Sequence, residues 1–366
     1  MTMSPAEHHV GMVIGIVGAG AMGSGIAQLA LESGDEVVLH DVDEAALEHA
    51  ADRIRDGLAR RAARLDLDPD SIDDWVDGRL VRLRHATTLA QVGDEADVVI
   101  EAALESLELK QTIFRALDAA SSPSTILATN TSALSIAAIA EPTARPQRVL
   151  GLHFFNPAPV MRLVEVVAGP ATAGAVVDQA TALVESWGRT AVRSADRPGF
   201  IVNRVNRPFT IEALRMLEQE AATVEQIDEA LRDAGFPLGP FELMDLTGLD
   251  VTYAAANGIW DGLGRPDRLR PSPIQAELVD AGRLGRKTGE GFYRYVDGRR
   301  AAVADRFAAT STGLAPSQIA ARVLSAVDAE AHRAVDEGVA AAHDVDIALR
   351  LGAAHPQGPF EREAAG

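Results

Sequence analysis

The chain has 366 residues, enough for about two domains with some length left over. Hydrophobic residues make up 47% and charged residues 24%, which excludes disordered, collagen-like and coiled-coil classes, while few aromatics (4%) favour helical and α/β packing over an aromatic-rich β-sandwich. A net charge of −19 opposes general affinity for nucleic acid or an anionic membrane, and the absence of cysteine removes disulfides, thiolate metal sites and cysteine nucleophiles, so no metal site is expected and redox chemistry must draw on a cofactor.

The first ten residues lack a basic n-region, and the apolar run from Val10 to Val17 is broken by Gly11 and Gly15. With no long apolar stretch elsewhere, neither a signal peptide nor a membrane span is expected, and the default location is cytoplasmic. Runs at 12–17, 36–40, 96–102, 125–129, 148–153 and 163–167 predict strands. They show little polar alternation, as in a mostly parallel sheet covered on both faces. Helical spacing fills Gly23–Glu32, Leu107–Ala119 and Gly174–Trp187 between them. The stretch Asp43–Thr88 is too long for a simple crossover and predicts a helical excursion, one long helix followed by a short one. GRTAVRS after Trp187 predicts a last strand, and SADRPG at 194–199 a domain boundary.

From Phe200 to about Tyr295 the pattern is helical, and residues 298–314 read as a linker. The remaining C-terminal residues repeat part of this helical stretch. Ile201–Asp233 aligns without gaps on Ile319–Leu351 at an offset of 118, with Arg204, Glu212, Asp228 and Arg232 recurring as Arg322, Glu330, Asp346 and Arg350. One inserted residue then brings GFPLGPFE at 235–242 onto AHPQGPFE at 354–361. The expected organisation is therefore 1–196, an all-α unit at 197–297, a linker, and a truncated repeat at 315–366.

GIVGAGAMGSGIAQ at 15–28 follows a predicted strand and opens a predicted helix. Gly18 permits a tight turn, Gly20 lets the backbone approach a pyrophosphate, and Gly23 allows close packing of helix on strand. Asp41 ends the next strand, 21 residues after Gly20, where a carboxylate accepts from an adenosine ribose and repels a 2′-phosphate. The sheet is thus of Rossmann type, and NAD is preferred over NADP. Further on, His153 ends a strand and Glu165 lies within another. A glutamate in a buried strand needs a partner, and an imidazole facing it would have its tautomer fixed and its protonated form favoured, as a general base for an alcohol requires.

GIVGAGAMGSGIA, ADVVIEAALESLELK, TNTSALSI, RVLGLHFFNPAPVMRLVEVV, RPGFIVNRV, GFPLGPFELMDLTGLD and RKTGEGFY together resemble the successive signatures of the L-3-hydroxyacyl-CoA dehydrogenase family, bacterial 3-hydroxybutyryl-CoA dehydrogenases in particular. The resemblance implies His153 as acid–base and Glu165 as its orienting carboxylate. It implies Ser132 and Asn203 at the substrate 3-oxygen, and Met22, Glu105, Lys110, Asn130, Ser132 and Asn156 around the cofactor. Without it, Ser132 reads equally as a helix N-cap, Asn203 as a surface residue, and Glu105 with Lys110 as an exposed ion pair. The helical excursion would help to hold the CoA moiety of an acyl-CoA substrate. Its arginines at 53, 55, 60, 61 and 64 otherwise read as a solvated face, and Arg60, Arg61 and Arg64 become phosphate candidates. Gly57 stands where some relatives carry a serine that touches the adenine end. Relatives with one helical domain form homodimers through it, so the repeat implies a homodimer or an internally paired monomer. The competing expectations are a dehydrogenase for 3-hydroxyadipyl-CoA or longer acyl-CoAs, and a non-catalytic NAD-binding protein like the related lens crystallin. Asn203 falls on Ala321 in the repeat, which has no second glycine loop and so cannot build a second active site.

Overall fold

The apolar runs of the first half come together as one eight-stranded sheet in the order β3-β2-β1-β4-β5-β6-β7-β8. The structure, a computed structural model, describes residues 11–308 and 313–365. Residues 1–10, where no leader is expected, and 309–312 of the expected linker lie outside the described residues. The chain divides into two units, Met1–Asp196 and Arg197–Gly366.

In chain order the first unit has β1 (Val13–Val17), α1 (Ala21–Ser33), β2 (Glu36–His40), α2 (Glu44–Arg64), α3 (Ile72–Leu80), β3 (Leu83–His85), α4 (Leu89–Glu95), β4 (Val98–Glu101), α5 (Leu107–Ala120), β5 (Ile126–Thr129), α6 (Ile136–Ala140), β6 (Val149–Phe154), β7 (Leu163–Ala168), α7 (Gly174–Ser186) and β8 (Thr190–Ala195). Strands β1 to β6 run parallel; β7 turns back antiparallel to β6, and β8 follows β7. β4 and β6 are buried at every position, Glu101 and His153 included, as strands covered on both faces of the sheet are. The order reverses between β1 and β4, and a crevice at such a switch point is where this architecture takes its ligand. β3 is an addition to the expected excursion. Its three residues, Leu-Arg-His, form an exposed edge with little apolar signal. Among the described residues no helix is long and apolar enough to cross a membrane.

The second unit holds α8 (Val202–Val205), α9 (Arg207–Glu218), α10 (Val224–Asp233), α11 (Pro240–Thr247), α12 (Leu249–Gly262), α13 (Pro273–Asp280), β9 (Tyr293–Val296), β10 (Arg299–Val303), α14 (Pro316–Asp336), α15 (Ala342–Gly352) and α16 (Pro359–Ala365). Two expectations are corrected here. The stretch to 297 is not wholly helical, and 298–314 is not wholly linker, because β9 and β10 pair as an antiparallel hairpin. Asp297 and Gly298, both with positive φ (49° and 71°), make the turn. An Asp-Gly pair between strands is a strong hairpin signal.

The repeat has a physical basis. In the first copy the buried Asp228 carboxylate accepts from the backbone N–H of Phe241 and Glu242, capping α11. In the second, Asp346 accepts from Phe360 N–H at the start of α16. A Cβ at Gly239 would stand 2.3 Å from Asp228, and one at Gly358 2.2 Å from Asp346, so the glycine of PxGPFE makes room for the capping carboxylate in both copies.

The two copies pack on one another with crossed ion pairs. Arg204 of the first meets Glu330 of the second at 3.0 Å, and Arg322 of the second meets Glu212 of the first at 2.7 Å. Since 322 and 330 are 204 and 212 shifted by 118, the pairs are exchanged by a pseudo-two-fold relation. The equivalent rings of Phe236 and His355 touch edge-on, with centroids 4.8 Å apart. Arg204 and Glu330 are fully buried, and Arg268 also reaches Glu330 at 2.7 Å. Glu330→Ala leaves the buried Arg204 guanidinium with only the half-exposed Glu337, at 2.8 Å, and is expected to cost about 1–3 kcal/mol, read as a lower urea midpoint; an unshifted midpoint would contradict the assigned weight of this pair.

Candidate active site

The loop between β1 and α1 is closely packed at two glycines and open at the third. Gly18 has φ +102°, and a Cβ there would lie 2.7 Å from the carbonyl oxygen of Ala102; one at Gly23 would lie 1.8 Å from that of Gly18. At Gly20, the N-cap of α1, nothing lies within 4 Å of the Cβ position, and the first turn of the helix has no acidic side chain. Backbone N–H groups therefore face open space at the positive end of a 13-residue helix, which suits a pyrophosphate. The Asp41 carboxylate is oriented beside this loop, accepting from Ala19 N–H at 2.7 Å and Asp43 N–H at 3.0 Å. Arg53 braces the loop from α2, donating to the Ala19 carbonyl and the Ser24 hydroxyl. Met22 is half-buried in the first turn of α1. These residues fit NAD.

A polar network lies at the ends of β4 and β5. Lys110 is buried, and its ammonium meets Glu101 at 2.7 Å and Glu105 at 3.3 Å. It is not part of the exposed pair with Glu105 that the sequence alone suggests. Glu101 also accepts from the Thr129 hydroxyl and Ala103 N–H. Glu105 accepts from the Thr131 hydroxyl and from Ser132 N–H. Ser132 itself is exposed, and the N-cap of α6 is Ser135, so Ser132 is not the helix cap. Glu101 and Thr129 are additions to the expected site, although a glutamate at the end of VVIE carries the same signal as one within LVEVV. Asn130 accepts from Phe154 N–H at 2.9 Å and so ties this network to the end of β6; Asn156 lies exposed just beyond.

His153 and Glu165 occupy opposed positions in the antiparallel β6–β7 pairing. Their side chains meet with Nδ1 2.6 Å from Oε2, both buried. With Nδ1 engaged by the carboxylate, proton exchange falls to Nε2. Phe155 lies against the imidazole with ring centroids 4.6 Å apart. Asn203 belongs to the second unit, half-buried on α8.

The arginines of α2 separate by role. Arg53 supports the glycine loop, and Arg55 pairs with Asp77. Arg60, Arg61 and Arg64 line a cavity of about 390 Å³ together with Gln28, Glu32 and Arg189. Arg189 is a further addition, arriving beside β8 from far away in sequence. Its Nε is buried without a hydrogen-bond partner, and burial lowers the guanidinium from its ordinary value. Gln28 occupies the space over Gly57, where a Cβ would stand 2.0 Å from its amide oxygen. Among the described residues no group of His, Asp and Glu is placed to hold a metal ion.

Residues 13–197 match the model of the 3-hydroxyacyl-CoA dehydrogenase NAD binding domain, and residues 199–295 and 319–362 that of the 3-hydroxyacyl-CoA dehydrogenase C-terminal domain. The chain is 47% identical over 291 residues to the 3-hydroxyadipyl-CoA dehydrogenase of Escherichia coli, covering 79% of this chain and 60% of that protein. It is 42% identical over 283 residues to the mitochondrial hydroxyacyl-coenzyme A dehydrogenase of Rattus norvegicus, covering 76% and 90%. The crystal structure of 3-hydroxybutyryl-CoA dehydrogenase from Escherichia coli aligns with a TM-score of 0.86 at 36% identity, over 97% of this chain and 91% of that one.

Asp41→Ala is expected to weaken NADH binding by about 10- to 100-fold, the range for a lost hydrogen bond to a charged group, and to narrow the gap to NADPH. Fluorescence titration reads both. A wild-type protein that binds NADPH as well as NADH would contradict the assignment of Asp41.

Proposed function

Because the chain belongs to the 3-hydroxyacyl-CoA dehydrogenase family, NAD-linked oxidoreductases acting on CH–OH groups, we propose that it reversibly oxidises an (S)-3-hydroxyacyl-CoA to the 3-oxoacyl-CoA. The buried 2.6 Å contact between His153 and Glu165 carries this reading. Bound NAD supplies the hydride acceptor. Nε2 of His153 removes the hydroxyl proton as the C3–H bond breaks, and returns it when the reaction runs backward. Glu165 keeps Nδ1 protonated and stabilises the imidazolium that forms. Ser132 holds the 3-oxygen, Asn156 lies beside the nicotinamide half, and the Lys110, Glu101 and Glu105 network fixes the loop that carries Ser132. Two acyl groups are supported: a four-carbon one, by the name of the structural relative, and a six-carbon dicarboxylic one, by that of the relative at 47% identity.

Coenzyme A brings several negative charges to a protein of net charge −19. The cavity lined by Arg60, Arg61, Arg64 and Arg189, against the single carboxylate of Glu32, is the site we assign to its phosphates. For oligomeric state, the crossed ion pairs between the two repeat copies support an internally paired monomer.

His153→Gln is expected to lower kcat by about 10²- to 10⁴-fold while NADH still binds, and Glu165→Gln to lose activity through the same imidazole. Acetoacetyl-CoA reduction, followed as NADH consumption, tests this; full activity in His153→Gln would overturn the mechanism. Replacing Arg60, Arg61 and Arg64 by Gln should raise KM for acetoacetyl-CoA more than for a pantetheine thioester without the nucleotide. Equal increases would return these arginines to a solvated face.

A further inference from the structure

The second unit has a cavity of about 630 Å³, larger than the arginine-lined one beside α2 at about 390 Å³, and none of the residues assigned to the reaction lines it. Its walls come from α9, from α12 and from residues 270–273, which lead into α13. A space of this size is that of a small-molecule site. The chain has only three tryptophans and three tyrosines, and one of each, Trp260 and Tyr253, stands half-buried in this wall.

Tyr253, Asn257 and Trp260 follow one another on α12 at steps of four and three residues, so they share one face of the helix. Trp260 is held in place, its indole N–H donating to the Pro266 carbonyl at 3.1 Å and its ring packed on the cluster of Ile211, Ile259 and Leu269. Asn257 donates one amide hydrogen to the Tyr253 carbonyl at 2.9 Å, which leaves its amide oxygen and second hydrogen for another molecule. Two guanidiniums and one carboxylate complete the polar lining. Arg215 is engaged by Glu212 at 3.2 Å and by the Asp267 carbonyl, and Glu218 accepts from the Ser272 hydroxyl. Arg270 differs from both, being exposed, with no acidic group paired to it among the described residues.

We propose that this cavity binds a nucleoside phosphate, with its base against Tyr253 and Trp260 and its phosphate on Arg270. Half-buried aromatic rings offer π faces to a flat base, the Asn257 amide can both donate to and accept from the edge of that base, and a guanidinium fork takes two phosphate oxygens at once. A purely apolar ligand would gain from the rings and nothing from Arg270 or Asn257. A bare anion would gain from Arg270 and nothing from the rings. In a chain of net charge −19 a phosphate needs a local cation of this kind. Glu218, on the α9 wall, repels an anion, so the phosphate lies on the Arg270 side and a monophosphate is preferred to a longer polyphosphate.

The test titrates the full chain with AMP, and with adenosine and inorganic phosphate as its two halves, by calorimetry. AMP is expected to bind about tenfold or more tightly than either half. Arg270→Gln should weaken AMP by about 10- to 100-fold and leave adenosine unchanged, whereas Tyr253→Leu should weaken both by on the order of 10-fold. AMP should also quench tryptophan fluorescence, and Trp260→Phe should remove that change. Adenosine can enter the glycine loop as well, so the Arg270-dependent binding must survive in Asp41→Ala. Reduction of acetoacetyl-CoA by Arg270→Gln without nucleotide should keep its wild-type rate. AMP binding that Asp41→Ala removes and Arg270→Gln leaves, equal binding of AMP and phosphate, or no binding of AMP overturns the proposal. Slower reduction by Arg270→Gln overturns it too, since the cavity would then serve the substrate. If Tyr253→Leu fails to fold, Arg270→Gln, at an exposed position, decides.

Discussion

A charge taken out of water has to be answered by another charge or by several hydrogen bonds, and that requirement organises both units of this protein. In the first unit, Lys110 on α5 is answered by Glu101 at the end of β4, and His153 on β6 by Glu165 on β7. In the second, Arg204 is answered by Glu330 of the other repeat copy. Each pair joins elements that hydrophobic packing alone would leave free to slide by a residue. A slip of β7 by one position would turn Glu165 to the opposite face of the sheet and leave the imidazole facing an apolar side chain. The reversal of chain direction at β7 is thus what places a carboxylate level with the histidine.

Much of this is legible in the residues. The glycine loop, Asp41 and the unbroken apolar strands specify the sheet and its nucleotide end, because the period of hydrophobicity and the spacing of glycines are local properties. The glutamate within LVEVV announces a partner, and the histidine twelve residues earlier is the available one. Glu101 makes the same announcement in VVIE, yet its partner Lys110 lies in a charged stretch that reads as a solvated face. Arg189 gives no signal, since a lone arginine beside a glycine acquires meaning only when β8 brings it to the cavity under α2. The hairpin of β9 and β10 is hidden by its exposure: most of its residues face water, so alternation of apolar and polar side chains is weak, and only the Asp297–Gly298 turn marks it.

The two repeat copies share the features that a common backbone geometry demands. The capping aspartate, the glycine that makes room for it and the arginine–glutamate cross are present twice. Tyr293, on the hairpin that follows the first copy, donates its hydroxyl to Asp228 at 2.8 Å and so braces the capping carboxylate there. Where Phe236 meets His355, burial holds the imidazole far below its ordinary value, to about 3, so it packs as a neutral ring against its aromatic counterpart.

Joining the copies in one chain changes the thermodynamic order of their association. Two separate subunits meet in a bimolecular step, so their pairing weakens on dilution and their stability depends on protomer concentration. The crossed pairs of Arg204 with Glu330 and Arg322 with Glu212 form instead within one chain, at an effective concentration set by the connecting residues. These contacts within the chain are then independent of how much protein is present. Each half is also free to change alone: position 203 can keep an asparagine while its equivalent becomes Ala321, a divergence that two identical subunits encoded by one sequence could not make.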